Sequence, residues 1–194
     1  MDKEAVSVGI AAENGENNSG DSRGNMEETT GEKILSPRRL AVCALVFALL
    51  LLADQLTKIW ISGTYQLHES TPVIPGYFSI TYVRNLGAAW GMLSGKVWLL
   101  LVIAGVVSVA MIKFFRYLTE GYFEREIALF MIFSGVIGNS IDRLWRGAVV
   151  DFLDFHWQDV WSYPVFNVAD IAICTGVGLF ILSGFLRPEG EKKK

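Results

Sequence analysis

The chain has 194 residues, 52% of them hydrophobic, and a formal net charge of −3. That length could bury one ordinary soluble core, but the apolar residues gather into four runs at 40–61, 97–115, 127–145 and 164–186. Each run, at about 19 to 23 residues and roughly 1.5 Å per residue, can cross about 30 Å of hydrocarbon. The polar remainder is too small to cover four such helices in water, and the bases sit at run edges rather than on one soluble face, which excludes a soluble protein and a nucleic-acid binder.

Residues 1–33 hold eight acids against three bases, whereas 34–194 hold twelve against fourteen. The first segment is polar, with Asn-Gly-Glu-Asn-Asn-Ser-Gly at 14–20, and reads as a disordered acidic cytoplasmic tail before a four-span domain at 34–194. It is no signal peptide, because the apolar run after it starts too late and is too long. In span 1, Asp54 and Lys58 form an i,i+4 pair near the end. The connection that follows contains Tyr77-Phe-Ser-Ile-Thr-Tyr-Val83, preceded by Pro72, Pro75 and Gly76. Its alternation predicts a small strand-and-turn platform above the hydrocarbon. Arg84 and Asn85 leave that platform beside Gly87-Ala88-Ala89, where small side chains let backbone approach a ligand.

Span 3 carries Gly135-x-x-Gly138-Asn139-x-x-Asp142-Arg143. The glycines permit close helix approach, Asn139 and Asp142 share a face, and Arg143 is expected to pair with a carboxylate. The stretch 145–163, with Trp157, Trp161 and Tyr163, reads as an interfacial outer segment anchored by aromatic rings at headgroup level. Span 4 carries Asn167 and Asp170 on one face, with the small Ala169 beside them. Cys43 and Cys174 lie inside predicted spans, so there is no disulfide framework or metal-ligand spacing and both read as packing thiols.

Basic residues set the topology. Lys33, Arg38 and Arg39 precede span 1; Lys113, Arg116 and Arg125 flank the turn between spans 2 and 3; Arg187 and 192–194 follow span 4. The positive-inside tendency puts all three regions in the cytoplasm and both chain ends inside. On that topology Asp54, Asp142, Asp151 and Asp170 converge at the outer face. Charges beside hydrocarbon are costly and mark function, and their convergence argues for one shared site. The expected fold is a membrane all-α bundle of four transmembrane helices with a small extracytoplasmic β platform and an interfacial outer segment.

No serine, histidine or cysteine arrangement competes: His68 and His156 stand isolated in outer connections, without metal-ligand spacing. Two carboxylates in a partly dry pocket retain one proton between them. The ionised one can deprotonate water while the protonated one polarises an amide carbonyl and helps the nitrogen leave. Asp151, on a mobile connection, and Asp170, fixed by a helix, are the natural pair. Asp142 with Asp170, or Asp154 in place of Asp151, satisfies the same logic, and the acids could instead only brace the bundle through Arg143, Arg146 and Lys58. An ion-coupled transporter would distribute its acids through the membrane or show an inverted repeat, and a scaffold protein would lose assembly rather than activity on Asp→Asn changes.

Five ordered segments carry a family resemblance: Asp54-Gln-Leu-Thr-Lys58, Asn85-Leu-Gly-Ala-Ala-Trp90, Gly135-Val-Ile-Gly-Asn139-Ser-Ile-Asp-Arg143, Val150-Asp-Phe152 and Phe166-Asn-Val-Ala-Asp170. From about residue 40 to 186 the chain resembles the lipoprotein signal peptidases, the bacterial signal peptidase II family of membrane aspartic proteases. Ser134 and Trp90 depart from the family's usual glycine and phenylalanine. The resemblance implies Asp151 and Asp170 as the catalytic dyad, with Asp54, Lys58, Asn85, Gly87, Gly138, Asn139, Asp142, Arg143, Asn167 and Ala169 shaping the site and holding substrate. It implies a diacylglyceryl-modified prolipoprotein as substrate, cut before the lipidated cysteine. It further implies no metal or organic cofactor, no required oligomer, and a bacterial cytoplasmic (inner) membrane location with the site near the outer face, in contact with membrane lipid.

Overall fold

The computed structural model describes residues 36–88, 92–158 and 160–187. The expected tail at 1–33, and Ala89, Trp90, Asp159 and 192–194, lie outside the described residues.

Helix α1 spans Pro37–Thr64. Ser36 caps it, its Oγ accepting from Arg39 N at 3.3 Å, and Pro37 follows at the first helical position, where a missing N–H costs nothing. Helix α4 spans Phe123–Trp145 and α5 spans Val168–Leu186. These three are long and apolar enough to cross a membrane, whereas the apolar α2, Val97–Lys113, has 17 residues, about 25 Å at the usual rise. The run expected to continue to residue 115 breaks at Phe114, and a short helix α3, Phe115–Thr119, follows. Helix α4 is central, touching α1, α2 and α5. At Gly135 a Cβ would collide with Ala169 O and lie 2.6 Å from Ile173 Cγ1, so the absence of a side chain there sets how near α5 can come. Large apolar side chains such as Leu45, Leu52, Trp98, Val106 and Ile181 remain exposed along α1, α2 and α5, the surface expected of helices solvated by lipid.

The platform is larger than expected. Strands β1 (Ser70–Ile74), β2 (Phe78–Asn85), β3 (Val149–Trp157) and β4 (Trp161–Ser162) form one antiparallel sheet in that order. The stretch 145–163, expected as an interfacial outer segment, is mostly strand. Its alternating β-branched and aromatic residues pair well across a sheet. Val150 and Phe152 point into a core with Ile61 of α1, packed by Tyr65, Ile80 and Val168, while Trp157 and Trp161 stay exposed at the far end. His156, expected to stand alone, meets Ser79 Oγ through Nε2 at 3.1 Å across β2 and β3.

The helix of the last apolar run starts later than the run itself. Phe166 forms a bridge with Leu153 of β3, N–H to carbonyl in both directions at 3.1 and 2.9 Å, and Asn167 stays extended at φ −138°, ψ −176°. Helix α5 thus begins at Val168, and Asp170 is its third residue rather than the seventh of a span from 164.

Candidate active site

The site is assembled at the N-terminus of α5. The first N–H groups of a helix lack partners inside it, and here side chains supply them. Asn167 Oδ1 accepts from Asp170 N at 3.0 Å and Asp170 Oδ2 accepts from Asn167 N at 3.2 Å, a reciprocal capping box. Ala169 N donates to Asp54 Oδ1, from α1, at 2.9 Å. The Phe166–Leu153 bridge holds this helix end against the strand that carries Asp151.

Asp151 lies opposite Val83 of β2 and is 2% exposed. Its Oδ1 accepts from Asn167 Nδ2 at 2.7 Å and its Oδ2 from Asn85 Nδ2 at 3.0 Å. Burial, with the charge of Asp170 added, pushes its carboxyl up to about 7, against the opposing pull of the Asn85 and Asn167 hydrogen bonds and the Lys58 charge. The expectation of a mobile connection is thus corrected: Asp151 sits in a paired strand, and its side chain is tied to helix α5. Asn85 also turns the chain, its Oδ1 accepting from Gly87 N at 2.8 Å.

Asn139 of α4 joins the two sides. Its Nδ2 donates to Asp170 Oδ1 at 2.8 Å, and its Oδ1 accepts from Asn167 Nδ2 at 3.1 Å and from Lys58 Nζ at 3.0 Å. Lys58 also bonds Asp54 Oδ2 at 2.9 Å and Asp142 Oδ2 at 3.0 Å. Asp142 further accepts from Val150 N at 3.1 Å and pairs with Arg146. Gly138 lets these groups meet, since a Cβ there would stand 2.5 Å from Asp54 Oδ2 and 3.4 Å from Ala169 Cβ. Arg143, expected to hold a carboxylate, donates instead to backbone, to Gly87 O at 2.8 Å and Asn139 O at 3.2 Å. Its buried Nε has no hydrogen-bond partner among the described residues. The reason is positional: Arg146, one turn beyond Asp142, already occupies that carboxylate.

All twelve residues expected at the site, Asp54, Lys58, Asn85, Gly87, Gly138, Asn139, Asp142, Arg143, Asp151, Asn167, Ala169 and Asp170, fall in this connected network. Asp154 does not: its carboxylate accepts from Thr81 Oγ1 at 2.7 Å. Asp142 is enclosed by two cations and a backbone N–H. Two further residues complete the network: Gln55, which was not expected there, and Arg146, expected only as a brace for the acids. Gln55 donates to Asp54 Oδ2 at 3.0 Å and to Gly138 O at 3.2 Å while accepting from Arg146 at 3.3 Å, and Arg146 closes Asp142. The i,i+4 spacing of Asp142 and Arg146 was a readable signal; Gln55 gave none beyond its place next to Asp54. Nor are buried acids confined to this end, because Glu126, 3% exposed, lies in the first turn of α4 at the other. An open groove of about 490 Å³, lined by Val83, Arg84, Asn85, Leu86, Asp151 and Val165 among others, reaches the Asp151 side. The arrangement offers two carboxylates held by amides, one of them able to carry a proton near neutrality.

Comparison with known proteins gives a consistent result. The family model described as signal peptidase (SPase) II matches residues 46–186. A lipoprotein signal peptidase of Geobacter metallireducens is 43% identical over 156 residues, covering 79% of this chain and 95% of that protein. One of Shewanella loihica is 40% identical over 153 residues, covering 75% and 89%. Two solved structures described as a bacterial membrane enzyme, each 34% identical, superpose with TM-scores of 0.72 and 0.67 and cover 80% and 77% of this chain and 94% and 95% of theirs.

Proposed function

The chain belongs to the signal peptidase II family of membrane-embedded enzymes, and from that premise we propose that it is an aspartic endopeptidase cutting diacylglyceryl-modified prolipoproteins before the lipidated cysteine, with Asp151 and Asp170 as the catalytic pair. The observation that carries the reading is the double amide bridge: Asn139 and Asn167 tie both carboxylates into one hydrogen-bonded unit. Asp151 holds the shared proton at neutral pH. Asp170, at the positive end of α5, takes a proton from water as the water oxygen attacks the scissile carbonyl carbon. Asp151 gives its proton to the carbonyl oxygen. Asp170 then passes the proton it took from water to the amine nitrogen, while Asp151 recovers one from a hydroxyl of the tetrahedral intermediate. The carbon–nitrogen bond breaks and both carboxyls return to their starting state. Arg143 fixes the local loop through Gly87 O and Asn139 O, and Asp54 and Asn85 shape the pocket from the opposite side.

In this reading α2 also crosses the membrane, making four spans, both ends face the cytoplasm, and the sheet lies at the outer surface of the inner membrane. A substrate anchored by acyl chains then presents its scissile bond near the headgroups, the level of the network. Residues 34–194 form the peptidase domain, and the acidic segment 1–33 precedes the family match.

The test is a cleavage assay of the purified full chain on diacylglyceryl-modified precursor. Asp151→Asn and Asp170→Asn each lower kcat by about a thousandfold or more, the scale of lost acid–base function, with unchanged thermal unfolding. Asp154→Asn stays near wild type. Near-wild-type rates from either of the first two variants overturn the dyad, and equal cleavage of precursor lacking diacylglycerol overturns the substrate.

A further inference from the structure

Lys58 is fully buried in α1 and takes no part in the chemistry just described. An ammonium has three N–H donors and no acceptor. Two of its donors go to the carboxylates of Asp54 and Asp142, at 2.9 and 3.0 Å, and Arg146 further matches the charge of Asp142. Those contacts suffice to balance a buried cation. The third donor goes to Asn139 Oδ1 at 3.0 Å, a neutral group that adds nothing to the charge balance.

A side-chain amide can sit either way round in nearly the same volume, and its neighbours decide which way. For Asn139 the neighbours are unambiguous. The ammonium of Lys58 and the NH2 of Asn167 face its oxygen, and the carboxylate of Asp170 faces its nitrogen. Turned over, three favourable contacts would become three repulsive ones. Asn167 could turn over together with Asn139, whereas the Lys58 ammonium can only donate and the ionised Asp170 carboxylate can only accept, so Lys58 holds the oxygen side of the amide as Asp170 holds the nitrogen side. The choice passes onward, because Asn167 places its NH2 between Asn139 Oδ1 and Asp151 Oδ1 and its oxygen on Asp170 N.

We propose that Lys58 is a positioning residue: its third N–H fixes the amide of Asn139, and through Asn139 and Asn167 it sets the hydrogen bonds received by Asp170 and Asp151. This rests on the dyad reading. A group buried this way, one amide removed from the carboxylates, touches no substrate, so its loss acts on kcat and leaves KM in place.

The test removes the lysine without stranding a charge. Lys58→Met combined with Asp54→Asn deletes one charge of each sign and keeps an acceptor for Ala169 N; Asp54→Asn alone is the control. In the otherwise unaltered chain the pair lowers kcat about 30-fold beyond the control, with KM within about threefold. In an Asn139→Ala background the same pair costs less than about threefold more, because contacts acting in series are not additive. Additive losses, or a loss confined to KM, overturn the proposal. A readout that needs no variant is the side-chain NH2 of Asn139 in the selectively ¹⁵N-labelled wild-type chain in lipid. Both protons are expected to be protected from exchange with solvent, and a freely exchanging pair overturns the proposal. A wild-type chain that leaves the precursor uncut while its Asn139 amide is fixed sinks the peptidase reading and upholds the amide orientation. An active chain killed by Asp151→Asn, with additive losses in the cycle, sinks the Lys58 role alone.

Discussion

The two ends of the helix bundle are both rich in charge and both join α1, α4 and α5, yet they are built differently. At one end Arg39 meets Glu126 at 3.6 Å, Arg125 meets Glu120 at 3.0 Å and Arg187 meets Glu124 at 2.5 Å. Ser183 bridges Arg125 and Glu124, and Tyr122 lies under the guanidinium groups of Arg125 and Arg187. These are long side chains, several half out of the protein; Glu120 is 52% and Arg187 is 40% exposed. At the other end the carboxylates of Asp54, Asp142 and Asp151 are almost completely buried, on short side chains; two asparagine amides and two backbone N–H groups bond them, and a third amide, of Asn139, holds Asp170. Long exposed pairs tether helices while tolerating movement. Short buried carboxylates locked by amides hold a geometry, and only that end can position a dyad. A buried acid alone therefore does not mark the site; the amides beside it do.

The contrast can be broken by experiment. Asp142→Ala should have the largest effect on stability, about 3 to 5 kcal/mol, because it leaves Lys58 short of a partner in a fully buried place; thermal unfolding in lipid reads it, and a loss below about 1 kcal/mol would put this end on a par with the other. Gly138→Ala should cost about 1 to 3 kcal/mol by overpacking against Asp54 and should lower turnover as well, since the same contact carries α1 to the start of α5. A stable, fully active variant would mean the helices have room to separate.

Protonation gives a subtler measure. Asp151, faced by Asp170, Asn85, Asn167 and Lys58, holds its proton up to about pH 7, so kcat/KM should fall as pH rises through that value and the general acid is lost. The Asn85 N–H favours the charged carboxylate. Asn85→Ala therefore raises proton affinity and moves the alkaline limb to higher pH, and a limb that stays or moves down contradicts Asp151 as the proton carrier. The smallest effect belongs to the other end. Arg187→Gln should change stability by less than about 1 kcal/mol, as for exposed ion pairs generally, and leave kcat/KM within about twofold. A large loss of activity would show that the two ends are coupled.

Much of this was legible from the chain. The apolar runs announced the helices and the alternation at 77–83 announced a strand, because burial in lipid and pairing in a sheet impose periods that can be read in one dimension; the family resemblance, rather than any period, named the site residues. The boundary at 164 was missed because Pro164, Val165 and Phe166 are as apolar as a span; only the pairing of Phe166 with Leu153 keeps them extended. The strand at 149–157 is not legible in the sequence because its aromatic residues suit an interface and a sheet alike, and only β2 beside it makes it a strand.

The sequence by itself determined that this is a membrane protein with its amides and aspartates at set helical spacings, because hydrophobicity and periodicity are local properties. Tertiary structure alone decided the partners that come from other elements: Asp142 and Asn139 for Lys58, Asn167 for Asp151, and a fixed strand rather than a mobile connection for Asp151. Those choices depend on the approach of α1, α4, α5 and β3 to within hydrogen-bond distance, and a three-ångström contact between residues some eighty positions apart leaves no periodic trace in the chain.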